Sequence, residues 1–163
     1  MIFVGYRGEG GDERLNLNYT LDFQRIMDES EYLRWILFSR RTLNSARGDL
    51  GRGDYNWACF KSQQAAEFAV KALLRGLGMP SYGHSISRLL TETSGTLRCD
   101  DKIIQAAKTL DKYYVPTRYP NAWVEGSPDE YYTRNDAEEA IRLAENIIGW
   151  VEDKWKSLKR GGD

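Results

Sequence analysis

The 163-residue sequence has very little histidine and cysteine: one histidine, His84, and two cysteines, Cys59 and Cys99. A single histidine excludes any zinc site of the HExxH type within one copy of the chain. Two cysteines are too few for a disulfide framework or a cysteine-rich zinc site. We therefore expect a reduced, cytoplasmic protein that needs no metal or other cofactor.

Long apolar runs are also absent. No stretch approaches the ~18 consecutive apolar residues of a membrane-spanning helix, so no membrane association is expected. The N-terminus lacks the basic start and the apolar run of a secretory signal. Neither sign of charge dominates, since 23 Lys and Arg face 24 Asp and Glu. A protein that binds nucleic acid through its overall field is clearly basic, so any RNA contact here must come from a local site.

The first 26 residues differ from the rest because they contain a glycine-rich stretch and only a short apolar start, residues 2–4. Glycine raises the entropy cost of ordering a segment, so we interpret residues 1–26 as poorly ordered or accessory. Met27 immediately precedes the first good helix, and a start at that methionine is an alternative. Residues 27–160 are predicted to form one helical domain.

Apolar residues recur at i, i+3 and i+4 through most of this domain, which is typical of amphipathic helices. The pattern predicts helices over residues 28–47, 55–75, 85–93, 100–114 and 135–156. Gly48, Gly51 and Gly53 should end the first helix, and Thr133 with Asp136 should cap the last. The predicted fold class is all-α: an antiparallel up-and-down four-helix bundle with an additional short helix.

The second helix carries a polar stripe beside its alanine-rich face. Gln63, Glu67 and Lys71 follow one another at four-residue spacing, and Glu67 before Lys71 is the favourable order for an ion pair. The simpler interpretation is a solvated stripe. The alternative is that these side chains face a neighbouring helix or a second subunit.

Two further features are candidates for a site. His84 opens the third helix, where it can cap the helix, contact a carbonyl or serve in a site. Arg118 lies between helices in a segment rich in tyrosine. Its planar fork can hold a phosphate while Tyr114 or Tyr119 stacks on a base. The alternative is a packed loop in which Arg118 bonds carbonyl groups.

These features together resemble the HEPN domain (higher eukaryotes and prokaryotes nucleotide-binding). The resemblance rests on the order and spacing of several motifs, which together cover about residues 28–155. They are YNWACF at 55–60, QQAAE at 63–67, VKALL at 70–74, GHSI at 83–86, LL at 89–90, TRYP at 117–120, YT at 132–133 and DA at 136–137, followed by the alanine-rich last helix.

The resemblance implies a small up-and-down helical bundle that forms homodimers. It also implies a minimal nucleotidyltransferase as partner, in a toxin–antitoxin-type or nucleotide-handling system. Many such proteins are metal-independent ribonucleases with an Arg-x(4–6)-His motif. No histidine follows Arg118 in this chain, because His84 precedes it. Whether the protein is an enzyme is therefore left open.

The leading hypothesis is a nucleotide- or RNA-binding protein whose ligand-binding residues are Arg118, Tyr119, Tyr114 and Lys71. One alternative is a ribonuclease that uses His84 and Arg118 as catalytic residues. The other is a non-catalytic dimerisation or interaction module. The alanine-rich second and last helices should leave an apolar face for a second copy, with Trp35, Trp57 and Trp150 as anchors of an interface above ~1,000 Å².

Overall fold

A computed structural model of the protein describes residues 27–161, so the prediction for residues 1–26 lies outside the described residues. The helices are α1 (Glu29–Arg52), α2 (Tyr55–Gly76), α3 (Ile86–Glu92), α4 (Asp101–Asp111) and α5 (Arg134–Arg160), with two short 3-10 turns at Pro120–Ala122 and Pro128–Glu130. Residues 27–161 contain no strand. Four long helices and one short helix confirm the all-α bundle.

Helix α2 is the central element of the bundle. It packs against α1 and α5 along its length and also contacts α3 and α4. Its alanines are fully buried, and side chains this small let the neighbouring helices approach closely: Ala58, Ala65, Ala66, Ala69 and Ala72. Leu73 fills the core between them. Since α2 touches every other helix, a side chain on it can meet residues from distant parts of the sequence.

The predicted end of the first helix at residue 47 is wrong. Helix α1 continues past Gly48 because Asp49, which is buried, forms an ion pair with Lys61 of α2 at 2.6 Å. This tertiary contact outweighs the cost of glycine within a helix. The helix ends instead at Gly53, whose φ of 84° is a left-handed conformation that glycine adopts without strain.

The other helix boundaries follow the sequence more closely. Thr133 and Asp136 form the predicted capping box at the start of α5, with the Thr133 N–H donating to Asp136 at 2.8 Å. Helix α4 is shorter than predicted and ends at Asp111. The chain then runs through successive turns as far as Arg118. These turns present Tyr114 and Arg118 beside α2.

The end of the bundle at the C-terminus of α2 is closed by a stacked pair of rings. Tyr32 of α1 and Trp155 of α5 lie parallel with their centroids 4.0 Å apart. A Cβ atom at Gly76 would come within 2.6 Å of the Trp155 ring, so the close approach requires glycine there. The Gly76 carbonyl accepts a hydrogen bond from the Asp28 N–H at 2.7 Å. Across residues 27–161, none of the helices has the length and apolarity needed to cross a bilayer.

Candidate functional site

Three segments of the chain meet at the ring of Tyr114. The His84 ring stacks on it, with centroids 4.6 Å apart and planes 15° from parallel. The Arg118 guanidinium carbon lies 4.5 Å from the same centroid, and Arg118 Nε donates to the Tyr114 carbonyl at 2.7 Å. Both distances are measured to the Tyr114 centroid. The His84 ring centroid and the Arg118 guanidinium carbon therefore cannot be farther apart than the sum of the two. The predicted site residues His84, Tyr114 and Arg118 are thus neighbours.

The Arg118 guanidinium is surrounded by aromatic rings. Besides Tyr114, it lies 4.5 Å from the Phe60 ring and 5.0 Å from the Tyr119 ring. Among the residues that the structure describes, no carboxylate comes within ion-pair distance of it. Aromatic ring faces attract a cation. The packed-loop alternative predicted that Arg118 bonds a carbonyl group, and the bond from Arg118 Nε to the Tyr114 carbonyl is such a contact. The remaining guanidinium donors match the fork geometry of a phosphate.

A buried carboxylate, Glu67, lies next to His84. Its side chain is 1% exposed and accepts from Lys71 Nζ at 2.8 Å. Gln64 Nε2 donates to it at 3.1 Å, and Gln63 donates to both Glu67 (3.3 Å) and the His84 carbonyl (3.0 Å). The interpretation of Gln63, Glu67 and Lys71 as a solvated stripe is wrong, because all three are buried and Gln63 and Glu67 contact His84. These donors are needed because a carboxylate that is removed from water is costly unless it is paired and hydrogen-bonded.

The contact between Glu67 and His84 determines which ring nitrogen carries the proton. His84 Nδ1 lies 3.2 Å from Glu67 Oε1. An ionised carboxylate only accepts hydrogen bonds, so this pairing assigns the proton of the neutral imidazole to Nδ1. Nε2 then holds the free lone pair. The His84 side chain is 55% exposed, which leaves it accessible to a ligand.

Asp111 fixes the backbone that follows His84. Its two carboxylate oxygens accept from Ser85 Oγ (2.8 Å), the Ile86 N–H (2.6 Å), the Ser87 N–H (3.1 Å) and Ser87 Oγ (2.6 Å). A carboxylate at the start of α3 also interacts favourably with the helix dipole. Because Asp111 is the last residue of α4, it ties the His84 segment to the turns that carry Tyr114.

The remaining predicted ligand-binding residues differ in accessibility. Tyr119 is 47% exposed and presents a ring beside Arg118. The Lys71 side chain is 11% exposed and is paired with Glu67, so its role toward a ligand stays a prediction. Phe60, Gln63, Gln64 and Glu67 were not predicted as site residues. They lie at helical spacing on one face of α2, but this spacing alone does not show that the face belongs to a site.

The chemistry of the surrounding residues narrows what the site can do. Burial raises the pKa of the Cys59 thiol to about 12, and the charge of Asp136 adds to the effect, so this cysteine is not a thiolate nucleophile. Burial likewise raises the pKa of Tyr132 to about 12. Within residues 27–161, no group of three or more His, Cys, Asp or Glu side chains is placed to hold a metal ion.

Comparison with known proteins agrees with this architecture. The model of the HEPN domain matches residues 32–154. The candidate toxin MJ1304 of Methanocaldococcus jannaschii is 30% identical over 129 residues, which are 72% of this chain and 85% of that protein.

Solved structures are similar over the same part of the chain. TT1696 from Thermus thermophilus is 46% identical with a TM-score of 0.73, covering 76% of this chain and 97% of its own. The archaeal HEPN homologue ST0689 is 45% identical with a TM-score of 0.65, covering 75% and 95%. The HEPN domain protein tm0613 from Thermotoga maritima is 38% identical with a TM-score of 0.61, covering 74% and 95%. The chain belongs to the HEPN domain family.

Proposed function

We propose that this protein binds a nucleotide or the end of an RNA at Arg118. We further propose that it acts as a homodimer with a minimal nucleotidyltransferase partner, in a toxin–antitoxin-type or nucleotide-handling system. The observation that carries the binding proposal is the setting of the guanidinium: three rings surround it, and no described carboxylate neutralises it. The candidate toxin MJ1304, a relative over most of its length, supports the toxin–antitoxin part.

The charges of the site agree with an anionic ligand. Glu67 and Lys71 form an ion pair with each other, whereas Arg118 has no carboxylate within ion-pair distance among the described residues. An arginine among rings can hold a phosphate with two parallel hydrogen bonds while a ring stacks on the attached base. The overall charge of −1 gives no general attraction for nucleic acid, so affinity depends on this residue.

Titration of a nucleoside monophosphate and a short single-stranded RNA tests the proposal. Arg118→Ala should abolish most of the affinity for both, and Arg118→Lys should weaken binding because a point charge lacks the bidentate geometry. Arg75→Ala is the matched control, since Arg75 also packs on a ring, that of Trp35 at 4.4 Å. Equal binding by wild type and Arg118→Ala would overturn the proposal and favour an interaction module.

A second candidate function is metal-independent RNA cleavage. The shared contact of His84 and Arg118 with Tyr114 favours it. In this reaction His84 Nε2 takes the proton of the 2′-hydroxyl, the 2′-oxygen bonds to phosphorus, and the bond to the 5′-oxygen breaks. The leaving oxygen takes a proton from His84 or water, which gives a 2′,3′-cyclic phosphate and a 5′-hydroxyl. Arg118 stabilises the charge on the phosphorane oxygens.

Incubation of end-labelled RNA with the protein and EDTA tests this second function. Wild type should cleave, His84→Ala should not, and Glu67→Gln should cleave more slowly because the carboxylate no longer orients Nδ1. RNA left intact by wild type, or cleaved equally by His84→Ala, would rule out this mechanism. Neither result would contradict the proposal that Arg118 binds a nucleotide or RNA.

A further inference from the structure

We propose that the site at Arg118 takes single-stranded RNA of two or more nucleotides in preference to a mononucleotide, with Trp57 stacking on a base next to the phosphate that Arg118 holds. This inference rests on the proposed function and names its ligand class. It follows from an aromatic track that extends from Tyr119 and Tyr114 through Phe60 to Trp57.

The aromatic track contains two ring–ring contacts, and Tyr119 joins it through the Arg118 guanidinium, which lies 5.0 Å from its ring. Trp57 and Phe60, one turn apart on α2, have centroids 6.2 Å apart in an edge-on arrangement. Phe60 and Tyr114 are 6.4 Å apart, and the Arg118 guanidinium lies 4.5 Å from each of them. A cation in the middle of such a track, with a ring beyond it, matches the alternation of phosphate and base along a single strand.

Trp57 is at the exposed end of the track. It is 44% exposed although it lies in the first turn of the most buried helix of the bundle. Nearly half of its surface is therefore accessible to solvent, as is that of Tyr119 at 47%. Stacking on aromatic rings is tolerant of sequence because every base has a π-face.

The position of Trp57 relative to Arg118 is fixed by a hydrogen bond between the residues that precede them in the chain. Asn56 Nδ2 donates to the Thr117 carbonyl at 3.0 Å, and both residues are buried. Trp57 and Arg118 are the residues that directly follow this pair. Thr117 Oγ1 in turn donates to the Tyr113 carbonyl at 2.6 Å, which fixes the turn. Because the two are held together before any ligand binds, little ordering is required on binding.

Fluorescence anisotropy with two uridine probes tests the proposal: a labelled pentauridylate, and unlabelled uridine 5′-monophosphate as its competitor. Both carry 2′-O-methyl groups, so neither can be cleaved through the 2′-hydroxyl. Wild type should bind the pentamer at least about tenfold more tightly than the monophosphate, since each stacked base adds affinity. Trp57→Ala should lose about tenfold for the pentamer and keep its affinity for the monophosphate, and Trp57→Phe should retain most of both.

Tyr131→Ala is the matched control, because Tyr131 is 42% exposed and stacks on Trp123, so it is not part of the aromatic track. Unchanged pentamer affinity in Trp57→Ala would overturn the inference while leaving the proposed function intact. Loss of affinity for both probes in Arg118→Ala supports the proposed function. Unchanged affinity for both probes in that variant would overturn both proposals. A change of oligomeric state in Trp57→Ala, measured by light scattering, would assign Trp57 to a contact with a second copy and also overturn the inference.

Discussion

Asn56 and Thr117, far apart in sequence, are joined by a buried hydrogen bond of 3.0 Å from the asparagine amide to the threonine carbonyl. It connects the first turn of α2 to the turns that carry Arg118. The residue that binds the anion in our proposal is thus held by the central helix of the core. Stability and ligand binding should be linked at this point.

Replacement of Asn56 by alanine tests this link. The Thr117 carbonyl would stay buried without that donor, which should lower the free energy of unfolding by about 1–3 kcal/mol. Affinity for RNA should fall as well, because the Arg118 turn loses its anchor. Denaturant unfolding and RNA titration measure the two effects. Asn44→Ala, at an exposed position of α1, is the matched control and should change neither.

Leu73 tests the packing of the central helix. It is fully buried on α2, so Leu73→Ala should open a cavity and lower the free energy of unfolding by about 2–5 kcal/mol. Val124→Ala truncates a fully exposed apolar side chain in a loop and should change stability by less than about 0.5 kcal/mol. Equal unfolding midpoints for the two variants would contradict the assignment of the core face of α2.

The stability contributed by Cys59 should depend on pH. Burial raises its pKa from 9.0 to about 12, so between these values the unfolded chain loses the thiol proton while the native chain keeps it. The unfolded state is therefore favoured as pH rises. The contribution of the protonated Cys59 thiol to the free energy of unfolding is fully present only below pH 9.

The comparison of wild type with Cys59→Ala isolates this effect, because all other titrating groups are common to both proteins. The free energy of unfolding of wild type relative to the variant should fall between pH 8 and 10, by at most ~1.4 kcal/mol per pH unit. A difference that stays constant with pH would show that Cys59 titrates alike in both states.

The homodimer expected for this family is tested by light scattering at micromolar concentration. Leu33, Leu37 and Phe38 are exposed on α1, and Phe38 lies 4.9 Å from Phe68 of α2. Exposed apolar side chains in one patch favour contact with a second copy. Phe38→Glu should shift the protein toward monomer, whereas Val124→Glu, at a fully exposed loop position, should not. A monomeric wild type would contradict the expectation.

Much of the fold could be predicted from the sequence because helical periodicity and caps are local signals. The start of α5 at Thr133 and Asp136 is an example. The continuation of α1 through Gly48 could not be predicted, since it depends on the ion pair of Asp49 with Lys61 of another helix. The glycines at positions 48, 51 and 53 instead predicted that the helix ends earlier.

The candidate site was predictable only in part for the same reason. The chemistry of Arg118 and its tyrosines indicated an anion site, and His84 stood out as the only histidine. That Glu67 is buried, and that it contacts His84, depends on the tertiary packing of α2 against the residues that precede α3. Four-residue spacing fits a solvated face and a buried network equally well. Only the tertiary structure distinguishes them.

The hydrogen bond between Asp28 and Gly76 has a practical consequence for handling the protein. It attaches the beginning of α1 to the C-terminal end of α2, whereas Asn56 and the Arg118 turn lie at the N-terminal end of the same helix. At 1.5 Å per helical residue, the two ends are roughly 30 Å apart. An affinity tag or a fluorophore joined just before Met27 would therefore be attached at the opposite end of the bundle from the proposed RNA site, and this is where a label for binding experiments belongs.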